Sequence, residues 1–363
     1  MKRLFLLMLS ISSLTVYPQA GAPAPYYNGF NFSQSGMALK NALASKITAS
    51  HTKILTYQQA ENALKIVDLD PENTTNTNVL LIYGFSSDIC PTSSATDKDH
   101  RRRNKESDGG GASCEWNREH TYAKSLGTPD LGESGPGADA HHLRAADVQR
   151  NGDRGSEKFA AGSGDSHDVN SSTWYPGDEW KGDVARMMMY MYLRYGSRCL
   201  PKNVGVGVTV ATDTNMIDLF LQWNAEDPVS QYEDNRNTYL GNASNQYGQG
   251  NRNPFIDNPY LATMIWGGPI AENRWPSLAV SDLTALNKVI VFPNPANENT
   301  INIYSETSID RLQLVNINGQ VIRDIQNPLF LDKVFTLQAL PSGFYFIRLT
   351  SENRTATQKV LVN

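Results

Sequence analysis

Cysteine is scarce: three in 363 residues, Cys90, Cys114 and Cys199, with no Cys-x-x-Cys pair. That excludes a disulfide-dense scaffold and argues against a structural zinc knuckle. An excess of positive charge is also missing. Lys and Arg number 32 against 37 Asp and Glu, a net of −5, so no global basic field draws in polyanions and any such contact needs a local patch. Long apolar runs are absent too. Leu4-Phe5-Leu6-Leu7-Met8-Leu9 falls short of the roughly 20 residues a bilayer span needs. It follows Lys2-Arg3 and leads to Gln19-Ala20-Gly21-Ala22, so residues 1–22 read as a signal peptide, with a buried N-terminal helix as the bland alternative. In an exported chain Cys90 and Cys114 are the expected bridge, leaving Cys199 over, although the count leaves the other pairings open.

The apolar share of 40% and charged share of 19% belong to a folded chain, and its length argues for two domains. Met37, Leu39, Leu43 and Ile47, then Tyr57, Ala60, Leu64 and Ile66, recur at helical spacing between residues 36 and 67. Val79 to Phe85 reads as a buried strand. Asp183 to Tyr195 is apolar all round, the mark of a central core helix, so its methionines carry no functional weight. Met216 to Trp223 is a further amphipathic helix. Composition changes near residue 268. From Val289 about seven short strand-like runs follow, with Asn318-Gly319 as a hairpin turn. The expected architecture is α+β: a mainly helical domain over 24–267, a linker over 268–288 and a small all-β sandwich over 289–363.

Two stretches carry the chemistry. Cys114-Glu115-Trp116-Asn117-Arg118-Glu119-His120-Thr121-Tyr122 is followed by Asp139-Ala140-His141-His142-Leu143-Arg144-Ala145-Ala146-Asp147 and Asn151-Gly152-Asp153-Arg154. They hold three of the six histidines, with carboxylates, an asparagine and several arginines. Histidine takes a proton near neutral pH, hard oxygen donors suit Mg²⁺ or Ca²⁺, and arginine complements phosphate. That is a minimal kit for metal-assisted attack of water on a phosphodiester. Arg118 and Arg154 are candidates for holding transition-state charge, with a plain salt-bridge role as the alternative. Asp147, four before Asn151, would orient its amide if both lie on one helix. His141 and His142 as a metal pair would favour zinc; a supporting role is the preferred reading, because neighbours seldom share one ion. The run Lys98 to Lys105, with Arg101, Arg102, Arg103 and Lys105, is either a solvated loop or a mobile basic arm for a phosphate backbone, and Arg252 is a weaker phosphate contact.

Trp116 to His120, His141-His142-Leu143 and Asn151 to Arg154 resemble the endonuclease I family of exported ββα-metal nucleases. The likeness runs through Asp178 to Asp183 and Gly250 to Phe255, so it spans roughly residues 36–267. The resemblance implies Glu119 and Asn151 as protein ligands of one divalent ion (Mg²⁺, with Ca²⁺ or Mn²⁺ as alternatives) and His120 as general base. His141 matches the recurring histidine of the pattern, as a residue supporting the site. Where the family commonly has prolines, this chain has Ala123 and Ala145. Phe292-Pro293-Asn294-Pro295, Leu340 to Tyr345 and Lys359 to Val362 resemble the C-terminal sorting domain of the type IX secretion system.

The expectation is therefore a secreted or cell-surface, metal-dependent, largely sequence-nonspecific endonuclease. It acts on DNA, or on RNA with the same residues, leaves 5′-phosphate ends, is monomeric, has no stable membrane span and has the type IX machinery as its partner. The rival from another class is a surface adhesin whose nuclease domain is degenerate. Neighbouring residues on a strand face opposite ways, yet Glu119 and His120 must converge, so irregular backbone is expected at 118–121.

Overall fold

A computed structural model describes residues 21–84, 101–112, 114–275, 289–296, 299–317, 319–351 and 354–363. The expected leader up to residue 20, Cys90, Lys98 to His100, Asn318 and the segment 276–288 lie outside the described residues. The chain divides into two compact units at Trp275/Pro276. It is an α+β mix, 30% helical and 25% strand, with an all-β C-terminal region. Among the described residues no helix is long and apolar enough to cross a membrane.

In the first unit, α1 (Gly36–Ser50) and α2 (Tyr57–Val67) precede β1 (Asn78–Leu80), β2 (Arg102–Asn104), β3 (Trp116–His120), β4 (Leu143–Asp147) and α3 (Val148–Arg154). There follow β5 (Lys158–Phe159), β6 (His167–Asn170), β7 (Thr173–Tyr175), α4 (Lys181–Tyr195), α5 (Pro201–Val204), β8 (Thr209–Val210) and β9 (Asp213–Ile217). The unit is completed by α6 (Asp218–Glu226), α7 (Gln231–Leu240), α8 (Pro254–Asp257) and α9 (Tyr260–Trp266). Helix α1 buries Leu39, Leu43 and Ile47 along one stripe, and α2 opens with a Thr56/Gln59 capping box that satisfies its first amides. Helix α4 is buried on nearly every face, as its all-round apolar surface predicts.

Three expectations change here. The strand foreseen over 79–85 stops at Leu80; Leu81, Ile82 and Tyr83 remain buried. Ile82 bonds Ala145 O (2.9 Å), and Tyr83 turns with φ +72°. The basic run is not a free arm beyond residue 101, because Arg102 to Asn104 form a strand antiparallel to β1. The backbone of 118–120 is regular: β3 and β4 pair without slippage from Trp116↔Asp147 to His120↔Leu143. Irregularity begins only where the strand ends, after His120.

Helix α3 follows β4 without a loop. Asp147 caps it, accepting from Gln149 N (3.0 Å) and Arg150 N (3.1 Å). Asp68 fixes β4 from the other side: its carboxylate accepts from Ala145 N (2.6 Å) and Tyr232 Oη (2.7 Å) and pairs with Arg236. A proline at 145 would lack that donor. Ala123, by contrast, has φ −54°, which proline also adopts.

In the second unit, β10 (Ile290–Phe292), β11 (Ile301–Tyr304), β12 (Arg311–Asn316), β13 (Val321–Gln326), β14 (Val334–Leu337), β15 (Gly343–Ser351) and β16 (Arg354–Val362) form two antiparallel sheets. Their orders are β10-β11-β14 and β13-β12-β15-β16. Ile301, Ile303 and Leu337 of one meet Leu312, Leu314, Ile347, Leu349 and Val360 of the other in a single core. This is the layered all-β unit that the short alternating runs predict.

Composition places residues 268–275 in a linker, yet Ala271, Arg274 and Trp275 pack into the first unit. Trp275 is buried against Tyr27 and Phe32, with ring centroids 5.4 and 5.0 Å away, and Arg274 forks onto Asp234 (2.6 and 2.8 Å). A chain cut after Gly267 is therefore expected to be less stable than one cut after Trp275 by about 3–5 kcal/mol, the usual cost of emptying a buried tryptophan site. Urea unfolding of the two truncated chains measures the difference.

Candidate active site

The end of β3, the start of the loop after it and the last turns of α3 enclose an open cleft of about 260 Å³. Its lining includes Arg118, Glu119, His120, Lys124, Asn151 and Arg154. Glu119, His120 and Asn151, separated by some thirty residues in sequence, thus share one cavity. Antiparallel pairing brings the start of α3 back beside β3, and the two neighbours on β3 both reach the cleft because it wraps the strand end.

Glu119 is nearly inaccessible at 2% exposure. Its Oε1 accepts from Tyr83 Oη and from Arg154 Nη1, both at 2.9 Å. Burial pushes its carboxyl above the usual range, while Arg154 and Tyr83 oppose that shift. Arg154 is wholly buried and also donates to His120 O (3.1 Å) and Thr121 O (3.0 Å). It is a clamp on the strand end and on Glu119, rather than a cation free for substrate.

His120 directs Nε2 at Gly137 O, 3.0 Å away. A carbonyl only accepts, so that nitrogen carries the proton and Nδ1 keeps the lone pair. The ring lies parallel to Tyr57 (5.8 Å). Burial, then the neighbouring His142, lower its pKa to about 3, so the imidazole is neutral at pH 7. Asn151 donates through Nδ2 to Asn117 Oδ1 (2.6 Å) and Arg118 O (3.3 Å), which leaves Oδ1 for a cation. Asn117 is the residue that orients the amide. Asp147 does not touch it, because the helix begins one residue later and the carboxylate serves as its cap and as the partner of Arg103 (3.0 Å).

The remaining nominated residues sit elsewhere or are engaged. Arg118 donates to Tyr57 O (2.6 Å), pairs with Glu61 (3.2 Å) and lies 3.7 Å over the Tyr57 ring. His141 belongs to a separate buried knot, bonding Asn251 O (2.9 Å) and packing on Tyr190. The histidine beside His120 is His142, with ring centroids 5.7 Å apart, because Thr121 N bonds His142 O and so prolongs the β3–β4 ladder. Arg101 pairs with Glu179, Arg102 with Asp70 and Glu72, and Arg252 with Asp257. Lys105 adjoins β2, its backbone amide bonded to Thr77 O. Cys90 lies outside the described residues, so the expected bridge does too; Cys199 is a buried free thiol.

Sequence reasoning missed Tyr83, Asn117 and Lys124, and preferred His141 to His142 as the supporting histidine. Asn117 lies inside the motif, and the strand ladder would have nominated it. Tyr83 is 36 residues from its partner Glu119 and carries no local signal.

The sequence matches known proteins. The Endonuclease I family model covers residues 35–260, and the secretion system C-terminal sorting domain covers 290–363. The extracellular ribonuclease of Bacillus amyloliquefaciens is 39% identical over 264 residues, 70% of this chain and 82% of that protein. The extracellular ribonuclease of Bacillus subtilis (strain 168) is 40% identical over 253 residues, 66% of this chain and 78% of that protein. The chain belongs to the endonuclease I family, as a secreted or surface nuclease that hydrolyses phosphodiester bonds and bears a type IX sorting domain.

Proposed function

We propose that the enzyme is a metal-dependent, sequence-nonspecific endonuclease that cuts DNA and RNA to 5′-phosphate ends, with β3, β4 and α3 as its ββα-metal core. The observation that carries this reading is the meeting of Glu119, His120 and Asn151 in one cleft. RNA stands beside DNA because both relatives are named ribonucleases.

The donors fit a hard ion: one carboxylate and one amide oxygen, without sulfur, in a cleft open to water. Among the described residues no three His, Cys, Asp or Glu side chains gather as a ligand set, so water and substrate complete the sphere. Glu119 and Asn151 would hold one Mg²⁺, with Ca²⁺ or Mn²⁺ as alternatives, which when bound supplies positive charge to the scissile phosphate and the departing 3′ oxygen.

His120 takes the proton of the attacking water at Nδ1, a step that contributes about 10²–10⁴-fold. The carbonyl of Gly137 holds the tautomer, and the Tyr57 ring holds the plane. An anionic phosphate beside the imidazole raises its basicity toward the working range. Tyr83 and Arg154 keep Glu119 in one place, and Asn117 does the same for Asn151. Beyond this unit, the tail directs export through the type IX machinery, and the enzyme acts as a monomer.

With Mg²⁺ the full chain should degrade both plasmid and RNA, and a chelator should stop both. His120→Ala should lower the rate by about 10²–10⁴-fold, and an undiminished rate removes His120 as base. Arg154→Ala and Asn151→Ala separate clamp from ligand. The first leaves a buried carboxylate unpaired and should cost about 3–5 kcal/mol of stability. The second should abolish cleavage while urea unfolding stays close to that of the parent.

A further inference from the structure

Every arginine that the sequence nominates for phosphate is already engaged. Arg154 is sealed behind Glu119, Arg118 is taken by Tyr57 and Glu61, Arg101 and Arg102 pair with carboxylates of their own surface, and Arg103 is buried on Asp147. Attack by water adds a further negative charge to the diester phosphate, and a cation on the protein side would stabilise it.

Lys124 meets that need. It lines the same cleft as Glu119, His120 and Asn151, four residues beyond the base. Its side chain is 35% exposed, and its ion-pair partner Glu133 is distant (3.8 Å) and itself 66% exposed. Exposed pairs of that kind contribute little, so a phosphate can displace one. The ammonium lies 5.5 Å from the centre of the Tyr57 ring that stacks on His120, which places it beside the base. The backbone that carries it is fixed. Lys124 O accepts from Gly127 N (3.2 Å) and Leu131 N (3.1 Å) in the turn that starts where β3 ends. A rigid root with a mobile, hydrated point charge suits a phosphate that moves through in-line displacement better than a forked arginine locked to one partner.

We infer that Lys124 is the cation that contacts a non-bridging oxygen of the scissile phosphate. The inference rests on the cleft being the active site. It goes further in naming the side chain that holds substrate charge, and it moves that role away from Arg118 and Arg154.

The test uses the full-chain enzyme, a short duplex oligonucleotide and a series of salt concentrations. Lys124→Gln, Lys124→Arg and His120→Ala are compared with the parent. Lys124→Gln should lower kcat/KM by about 10–100-fold, as removal of a charge-assisted hydrogen bond does. It should also make the plot of log kcat/KM against log salt shallower by about one, because one phosphate fewer is neutralised by the protein. Lys124→Arg should restore most of both, with unchanged thermal melting in each. If His120→Ala is inactive while Lys124→Gln keeps the parent rate and salt slope, Lys124 does not touch the phosphate. A lower rate with an unchanged slope and no rescue by arginine marks a structural role and also overturns the inference. Activity in His120→Ala overturns the cleft reading itself.

Discussion

A buried ion pair, Glu119 with Arg154, sets the shape of the whole site. A carboxylate at 2% exposure tends to protonate, because desolvation penalises the charged form. Arg154 and the Tyr83 hydroxyl offset that penalty from one side and both address Oε1. The same guanidinium bonds the carbonyls of His120 and Thr121, so one side chain fixes Glu119, the backbone of His120 and the point where β3 stops. Arg154 is the last residue of α3, and Asn151 lies on that helix. The clamp therefore also sets the spacing between the two proposed ligands. Breaking it would shift all three functional groups together.

The second constraint is the charged interior. Asp68 receives Ala145, Tyr232 and Arg236, while Arg144 lies against Asp183, and Arg186 forks onto Glu233 at 2.6 and 2.7 Å. A buried guanidinium that loses its carboxylate leaves an uncompensated charge, which is very costly. Arginine in this fold thus acts as a joint between helices and the β3–β4 pair. A positive residue near the motif is consequently poor evidence of substrate contact. The more exposed, weakly paired lysine is better evidence.

This separates what the sequence made legible from what it did not. The stripes of α1 and α2, the all-round burial of α4 and the short alternating strands of the tail follow from periodicity, which depends on local geometry alone. That Glu119, His120 and Asn151 line one cleft agrees with the grouping that the family resemblance implies. Their partners were not legible. Asp147 looked like a helix-face neighbour of Asn151 because the start of α3 could not be fixed to one residue; a capping aspartate and an aspartate one turn in read alike. His141 and His142 could not be ranked without the β3–β4 register. Residues 268–275 look loose because glycine and proline mark turns, and turns pack when an aromatic follows them, as Trp275 does.

The tail has its own core. Ile301, Ile303, Leu312, Leu314, Ile347, Leu349 and Val360 close on one another within the second unit, while the cleft is built entirely from residues 118–156 of the first. Each unit has its own hydrophobic core. The confinement of the site to one cleft also explains how an acidic chain can act on polyanions. The local charge that matters is a few side chains, and the remainder of the molecule is free to keep the negative balance that favours release of its products.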